Sequence, residues 1–84
     1  MPLRFGADVA TAETEYGTVL LDQRDGVYWE LNPTAALVVR TLLAGGEVAE
    51  AADAVVREFD VDRAEALEDV EALVAQLRGS GLAS

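Results

Sequence analysis

The spacing of apolar residues changes at Asn32, and this change divides the chain into a strand-forming third and a helix-forming remainder. Before it, Thr18-Val19-Leu20-Leu21-Asp22 and Val27-Tyr28-Trp29-Glu30-Leu31 are β-branched or aromatic runs flanking Arg24-Asp25-Gly26. That tripeptide suits a three-residue hairpin, with a type I turn over Arg24 and Asp25 and Gly26 left-handed. The register then opposes Leu21 to Trp29 and Val19 to Leu31. It gathers Val19, Leu21, Val27, Trp29 and Leu31 on one face. A two-residue Asp25-Gly26 turn is the rival; it sets Asp22 against Trp29, and the first register is preferred. Upstream, Leu3 to Thr11 alternates loosely enough for a further strand, ending in the polar stretch Thr11-Ala12-Glu13-Thr14-Glu15.

After Asn32 the repeat is helical. Asn32 is placed to cap a helix, Pro33 suits its first turn, and Gly45-Gly46 stops it. Ala35, Val38, Val39, Leu42 and Leu43 share one face. Leu37 falls outside it, either meeting a second element or standing exposed. Val48, Ala51, Ala52, Val55, Val56 and Phe59 form a second stripe, broken at Asp60-Val61. Asp62 with Glu65 resembles a capping box, and opens a third helix with the stripe Ala66, Leu67, Val70, Leu73, Val74 and Leu77. Arg78 favours its last turn and Gly79-Ser80-Gly81 stops it. The expected fold class is α+β: a three-stranded antiparallel sheet followed by three helices, in one domain over residues 1–84.

Composition narrows the function. Sixteen acidic residues against six basic ones give a net charge of −10, and every basic residue is an arginine: Arg4, Arg24, Arg40, Arg57, Arg63 and Arg78. They are scattered, so no basic stripe exists to neutralise phosphates, and neither nucleic acid nor an anionic membrane is an expected partner. Basic partners would be drawn in, although acidity also simply keeps a small domain soluble. With no cysteine and no histidine, disulfides, thiolate metal sites and the commonest general base are excluded. No apolar run is long enough for a signal peptide or membrane span, so the expected location is the cytoplasm.

The remaining catalytic options are thin. Glu68, Asp69 and Glu71 read as a solvated helix face, and general acid/base work needs a desolvated carboxylate. Asp60, Asp62 and Glu65 lack the glycine and terminal glutamate of a calcium loop. Ser80 and Ser84 have no base, and Gly45-Gly46 is not followed by Lys-Ser or Lys-Thr. The expectation is no catalytic residue, no metal and no cofactor. Binding by shape is left: an edge strand can accept an extended peptide. Val27 to Leu31 is the richest candidate edge, holding Tyr28 and the sole tryptophan, Trp29. Trp29 reads first as a core residue, a role compatible with lining the rim of a groove.

Tyr16-Gly17-Thr18-Val19-Leu20-Leu21-Asp22, then Gly26-Val27-Tyr28-Trp29-Glu30-Leu31-Asn32-Pro33-Thr34-Ala35-Ala36, and Leu42-Leu43-Ala44-Gly45-Gly46 resemble the PqqD-like family. Phe59-Asp60-Val61-Asp62 and Leu77-Arg78-Gly79-Ser80-Gly81-Leu82 extend the likeness over nearly the whole chain. Within the family it is most similar to the stand-alone recognition proteins of lasso-peptide clusters. The resemblance implies a winged-helix-like domain that binds the leader of a ribosomally made precursor peptide as a strand beside Val27, Tyr28, Trp29, Glu30 and Leu31. Leu67, Val70, Leu73, Val74 and Leu77 would line the cleft, and Asp69 or Glu71 would meet basic leader residues. The implied partners are the leader, a transglutaminase-like cysteine leader peptidase and, further on, an ATP-dependent macrolactam synthetase. A PqqD-like chaperone for a radical-SAM enzyme is the alternative client relationship. A winged-helix transcription regulator is a third reading, and the acidity opposes it.

Overall fold

A computed structural model describes residues 3–15, 17–24 and 26–84, and of Val27 the backbone alone. Tyr16, and Asp25 of the expected turn, lie outside the described residues. Three strands, β1 (Val9–Thr14), β2 (Gly17–Asp22) and β3 (Val27–Leu31), precede three helices, α1 (Pro33–Leu43), α2 (Val48–Phe59) and α3 (Arg63–Gly79). The sheet is antiparallel in the order β1-β2-β3, leaving β1 and β3 as its edges. The α+β class, the order of elements and the winged-helix-like arrangement expected from the sequence are all present.

The hairpin register differs from expectation by one residue. Leu20 opposes Trp29, Leu21 opposes Tyr28, and Thr18 opposes Leu31. Asp22 is the cause. It closes the strand opposite Val27 while its carbonyl accepts from the Gly26 N–H at 2.9 Å and its carboxylate from the Arg24 N–H at 3.1 Å. Gln23 is thereby drawn into the loop, and its own N–H reaches across to the Asp8 carbonyl at 3.0 Å. Because strand side chains alternate, the shift exchanges the faces of β2. Leu20 is fully buried with Val9, Trp29 and Leu31 beside it, whereas Val19 and Leu21 join Tyr28 on the outer face.

The first strand also lies later than expected. The polar stretch from Thr11 to Thr14 is itself part of β1, paired residue by residue with β2. Leu3 to Gly6 serves another purpose: Phe5 bridges Ala83, with Arg4 and Ser84 exchanging hydrogen bonds of 2.9 and 2.7 Å. The segment lays Leu3 and Phe5 over the core beside Leu82.

The helices follow their signals closely. Asn32 caps α1, accepting from the Ala35 N–H at 2.8 Å. Beyond α1, Gly45 takes φ 93° and Gly46 approaches Thr41 so closely that a Cβ would sit 2.8 Å from its carbonyl oxygen. A capping box does occur, but on α2, where Glu47 and Glu50 exchange backbone contacts; the Asp62 side chain caps nothing on α3. Ala36, Val38, Val39 and Leu42 of α1 are buried, and Leu37 meets a second element by packing against the α2–α3 core. One cluster joins the three helices through Val38, Leu42, Ala51, Ala52, Val55, Ala66, Val70 and Val74. A second seats the sheet through Leu20, Val39, Leu77, Leu82 and Ala83. Burial of this apolar area is the main force holding sheet to helices.

A polar clasp ties the β1–β2 hairpin to α1. The Thr18 hydroxyl, nearly buried, donates to the Glu13 carboxylate at 3.0 Å and accepts from Arg40 Nη2 at 2.8 Å, while Arg40 also pairs with Glu13. The Thr18 hydrogen bond first, and Arg40 second, hold the Glu13 carboxyl below the usual glutamate range.

Candidate peptide-binding groove

Strand β3 meets the first requirement for strand addition, since nothing in the sheet pairs with its outer side. In an antiparallel ladder every second residue turns its N–H and C=O away from its partner strand, so β3 presents unpaired backbone groups along that edge. Trp29 and Leu31 point inward and are partly buried against the second cluster, while Tyr28 and Glu30 point outward and are exposed.

Where β3 runs into α1, a depression of about 380 Å³ opens between that junction and α3. Asn32, Thr34, Ala35 and Val38 line one wall, and Asp69, Ala72, Leu73 and Gln76 line the other. The α3 wall is a stripe at positions 69, 72, 73 and 76, lying beside the core stripe of the same helix. Its chemistry is mixed: apolar carbons for side-chain burial, with an amide and a carboxylate at the margin. A larger depression of about 610 Å³ lies around Leu31, Leu37, Arg40 and Phe59, and the Arg40 it contains is already engaged in the clasp. The smaller groove begins at Asn32, the residue that follows the β3 edge.

The residues expected to form the cleft divide on this geometry. Val70, Val74 and Leu77 are buried in the core. Leu67 is half-buried against the helical cluster, and Leu73 spans both clusters and the groove. Asp69 stands on the groove wall, but Glu71 lies about 200° further round α3 and is exposed on another face. Of the other groove residues, Asn32, Ala35 and Val38 were read only as the cap and apolar face of α1, Thr34 only as part of the family resemblance, and Ala72 and Gln76 were given no role. The repeat of 69, 72, 73 and 76 was a usable signal, hidden because Ala72 and Gln76 are too plain to attract notice. Among the described residues no three acidic side chains converge as a metal site, and no helix is long and apolar enough to cross a membrane.

A sequence model for the family described as coenzyme PQQ synthesis protein D matches residues 17–83, from the start of β2 to the C-terminal turn. The chain belongs to the PqqD family. Two solved structures share its architecture. One, described as "Lasso peptide synthetase B1 complexed with the leader peptide", is 43% identical, covers 100% of this chain and 99% of its own, and superposes with a TM-score of 0.87. The other, described as "TbiB1 in Complex with the TbiA(beta) Leader Peptide", is 25% identical over 96% of this chain and 94% of its own, with a TM-score of 0.84. No curated protein sequence matches. The PqqD match begins after β1, whereas both solved structures extend over it.

Proposed function

We propose that this chain is a single leader-recognition domain, spanning residues 1–84, for the maturation of a ribosomally made peptide of the lasso class. The leader adds as a fourth strand along β3 and sets an apolar side chain into the groove between the β3–α1 junction and α3. Backbone hydrogen bonds supply affinity without regard to sequence, and the groove supplies selectivity. The observation that carries the reading is the pairing of a free edge on β3 with an open groove, in a chain 43% identical end to end to a protein described in complex with a leader peptide. The protein works in the cytoplasm as a non-catalytic adaptor. It delivers the bound precursor to a transglutaminase-like cysteine leader peptidase, upstream of an ATP-dependent macrolactam synthetase. A PqqD-like chaperone for a radical-SAM enzyme is the alternative client relationship; the lasso description of the 43%-identical structure favours the first client.

Calorimetric titration with the leader of the precursor encoded beside this protein tests the reading. Low-micromolar or tighter binding is expected for the leader with or without its core segment, accompanied by amide-exchange protection along Val27–Leu31. Equal binding of a scrambled leader would refute it.

A further inference from the structure

The larger depression lies on the other flank of α1 and opens at the same residue as the groove. The helix turns Thr34, Ala35 and Val38 toward α3, and Pro33, Ala36, Leu37 and Arg40 toward the start of β2 and the end of α2. Asn32 lines both hollows, so they meet where β3 gives way to α1. The larger one, of about 610 Å³, has an apolar lining of Leu31, Pro33, Ala36, Leu37 and Phe59. Phe59 is 36% exposed at the C-terminal end of α2, between Glu58 and Asp60. An aromatic ring left partly in water gains free energy when an apolar group covers it.

The charges at the rim select what covers it. Arg40 is held on one side by Glu13 and Thr18. On the other, Glu58 is exposed in the last turn of α2, where the helix dipole adds further negative potential. The depression therefore suits an apolar side chain with a basic neighbour. A second copy of this chain would bring a charge of −10 against the same carboxylates and be repelled.

A leader on β3 reaches this depression without a break. Antiparallel pairing is the more stable per residue, so an added strand has its N-terminal end beside Leu31 and its C-terminal end beside Val27. Residues N-terminal to that strand emerge at Asn32, where both hollows begin. An α-helix is about 10 Å across and an extended chain advances about 3.3 Å per residue, so roughly three residues carry the leader over the first turn of α1.

We infer that the depression around Leu37 and Phe59 is a second precursor site, which takes an apolar residue flanked by lysine or arginine from the leader segment N-terminal to the strand on β3. This rests on the leader-binding reading and deepens it. Recognition becomes two-part, with one side chain in the α3 groove, another against Phe59, and the first turn of α1 between them. A peptide that carries only one of the two anchors is held weakly, which raises the selectivity of a small domain.

Phe59→Ala removes the apolar contact, and Glu58→Lys reverses the rim charge at an exposed position. Fluorescence anisotropy compares both with the parent, using the labelled leader encoded beside this protein and versions of it shortened stepwise from either end. Each variant should weaken binding of the whole leader at least fivefold. Shortening from the N-terminus past the second anchor should weaken binding to the parent by a similar factor while amide-exchange protection along Val27–Leu31 persists. On that shortened leader, parent and variants should bind within twofold of one another. Circular dichroism checks both folds, and Glu58→Lys carries the test should Phe59→Ala not fold. Parent-like binding of the whole leader by the folded variants overturns the inference. So does a loss that persists undiminished on the N-terminally shortened leader, or one that only C-terminal shortening removes. A parent that fails to bind the whole leader marks failure of the underlying reading instead, and the anisotropy of the parent alone tells the two apart.

Discussion

Substitution of Ala72 by arginine isolates the groove from the core. Ala72 is exposed on α3 and lines the groove wall with Leu73 and Gln76. Arginine has a helix propensity close to that of alanine, and Asp69 three residues earlier offers it a favourable partner. Stability should therefore change by less than about 0.5 kcal/mol. A long charged side chain lying across a groove of about 380 Å³ denies burial to an entering leader side chain. One well-buried apolar anchor contributes about 1.5–3 kcal/mol. At about 1.4 kcal/mol per tenfold, the dissociation constant should rise roughly 10- to 150-fold. Ala64→Arg is the matched control: it is the same chemical change at an exposed position of the same helix, about 12 Å away along its axis. It should leave leader affinity within about twofold, while carrying the same change in net charge. Fluorescence anisotropy with labelled leader reads both variants, and circular dichroism verifies both folds. Equal losses in the two would assign the effect to charge. Parent-like binding by a folded Ala72→Arg protein would show that the 69, 72, 73 and 76 stripe is not the site.

Three further outcomes follow from the fold. Leu20→Ala should cost about 2–5 kcal/mol of unfolding free energy, as expected for a fully buried leucine. Leu21→Ala on the outer face should cost less than half as much; equal costs in urea denaturation would contradict the register. Asn32→Ala should destabilise by about 0.5–2 kcal/mol through loss of the α1 cap, read as a lower thermal midpoint with an unchanged denaturant slope. Glu13 has its folded pKa depressed, so its contribution is present above the unfolded-state value and is lost as pH falls through the folded one. Glu13→Gln should therefore be less stable than the parent at neutral pH, and the gap should close on acidification through the carboxylate range. A pH-independent gap would exclude the linkage.

The outcomes divide along a physical line between local and long-range information. Signals acting within a turn or two of chain were legible: Asn32 before Pro33, the stripes of α2 and α3, the glycines after α1. Capping bonds and helical periodicity are decided among near neighbours, so the sequence states them almost directly. The family resemblance read from these stretches held for the same reason, since it rests on how the elements begin and end. Asp60 shows the intermediate case: the break in the run was visible, but not that Asp60 itself would turn left-handed at φ 53°.

What the sequence left undecided depends on partners distant along the chain. Leu20 and Leu21 are chemically identical, and the choice between them was made by Asp22 folding back on its own turn and by Gln23 reaching Asp8. The strand role of Thr11–Thr14 required β2 alongside, because polar residues enter a sheet when a ladder satisfies their backbone and, for Glu13, when Thr18 and Arg40 await the side chain. Val70 and Val74, and Ala72 and Gln76 beside them on α3, could be sorted into core and groove only once α1 and α2 had taken their places. A helix states which residues share a face. Which face is buried is settled by what packs against it, and that is a property of the tertiary structure.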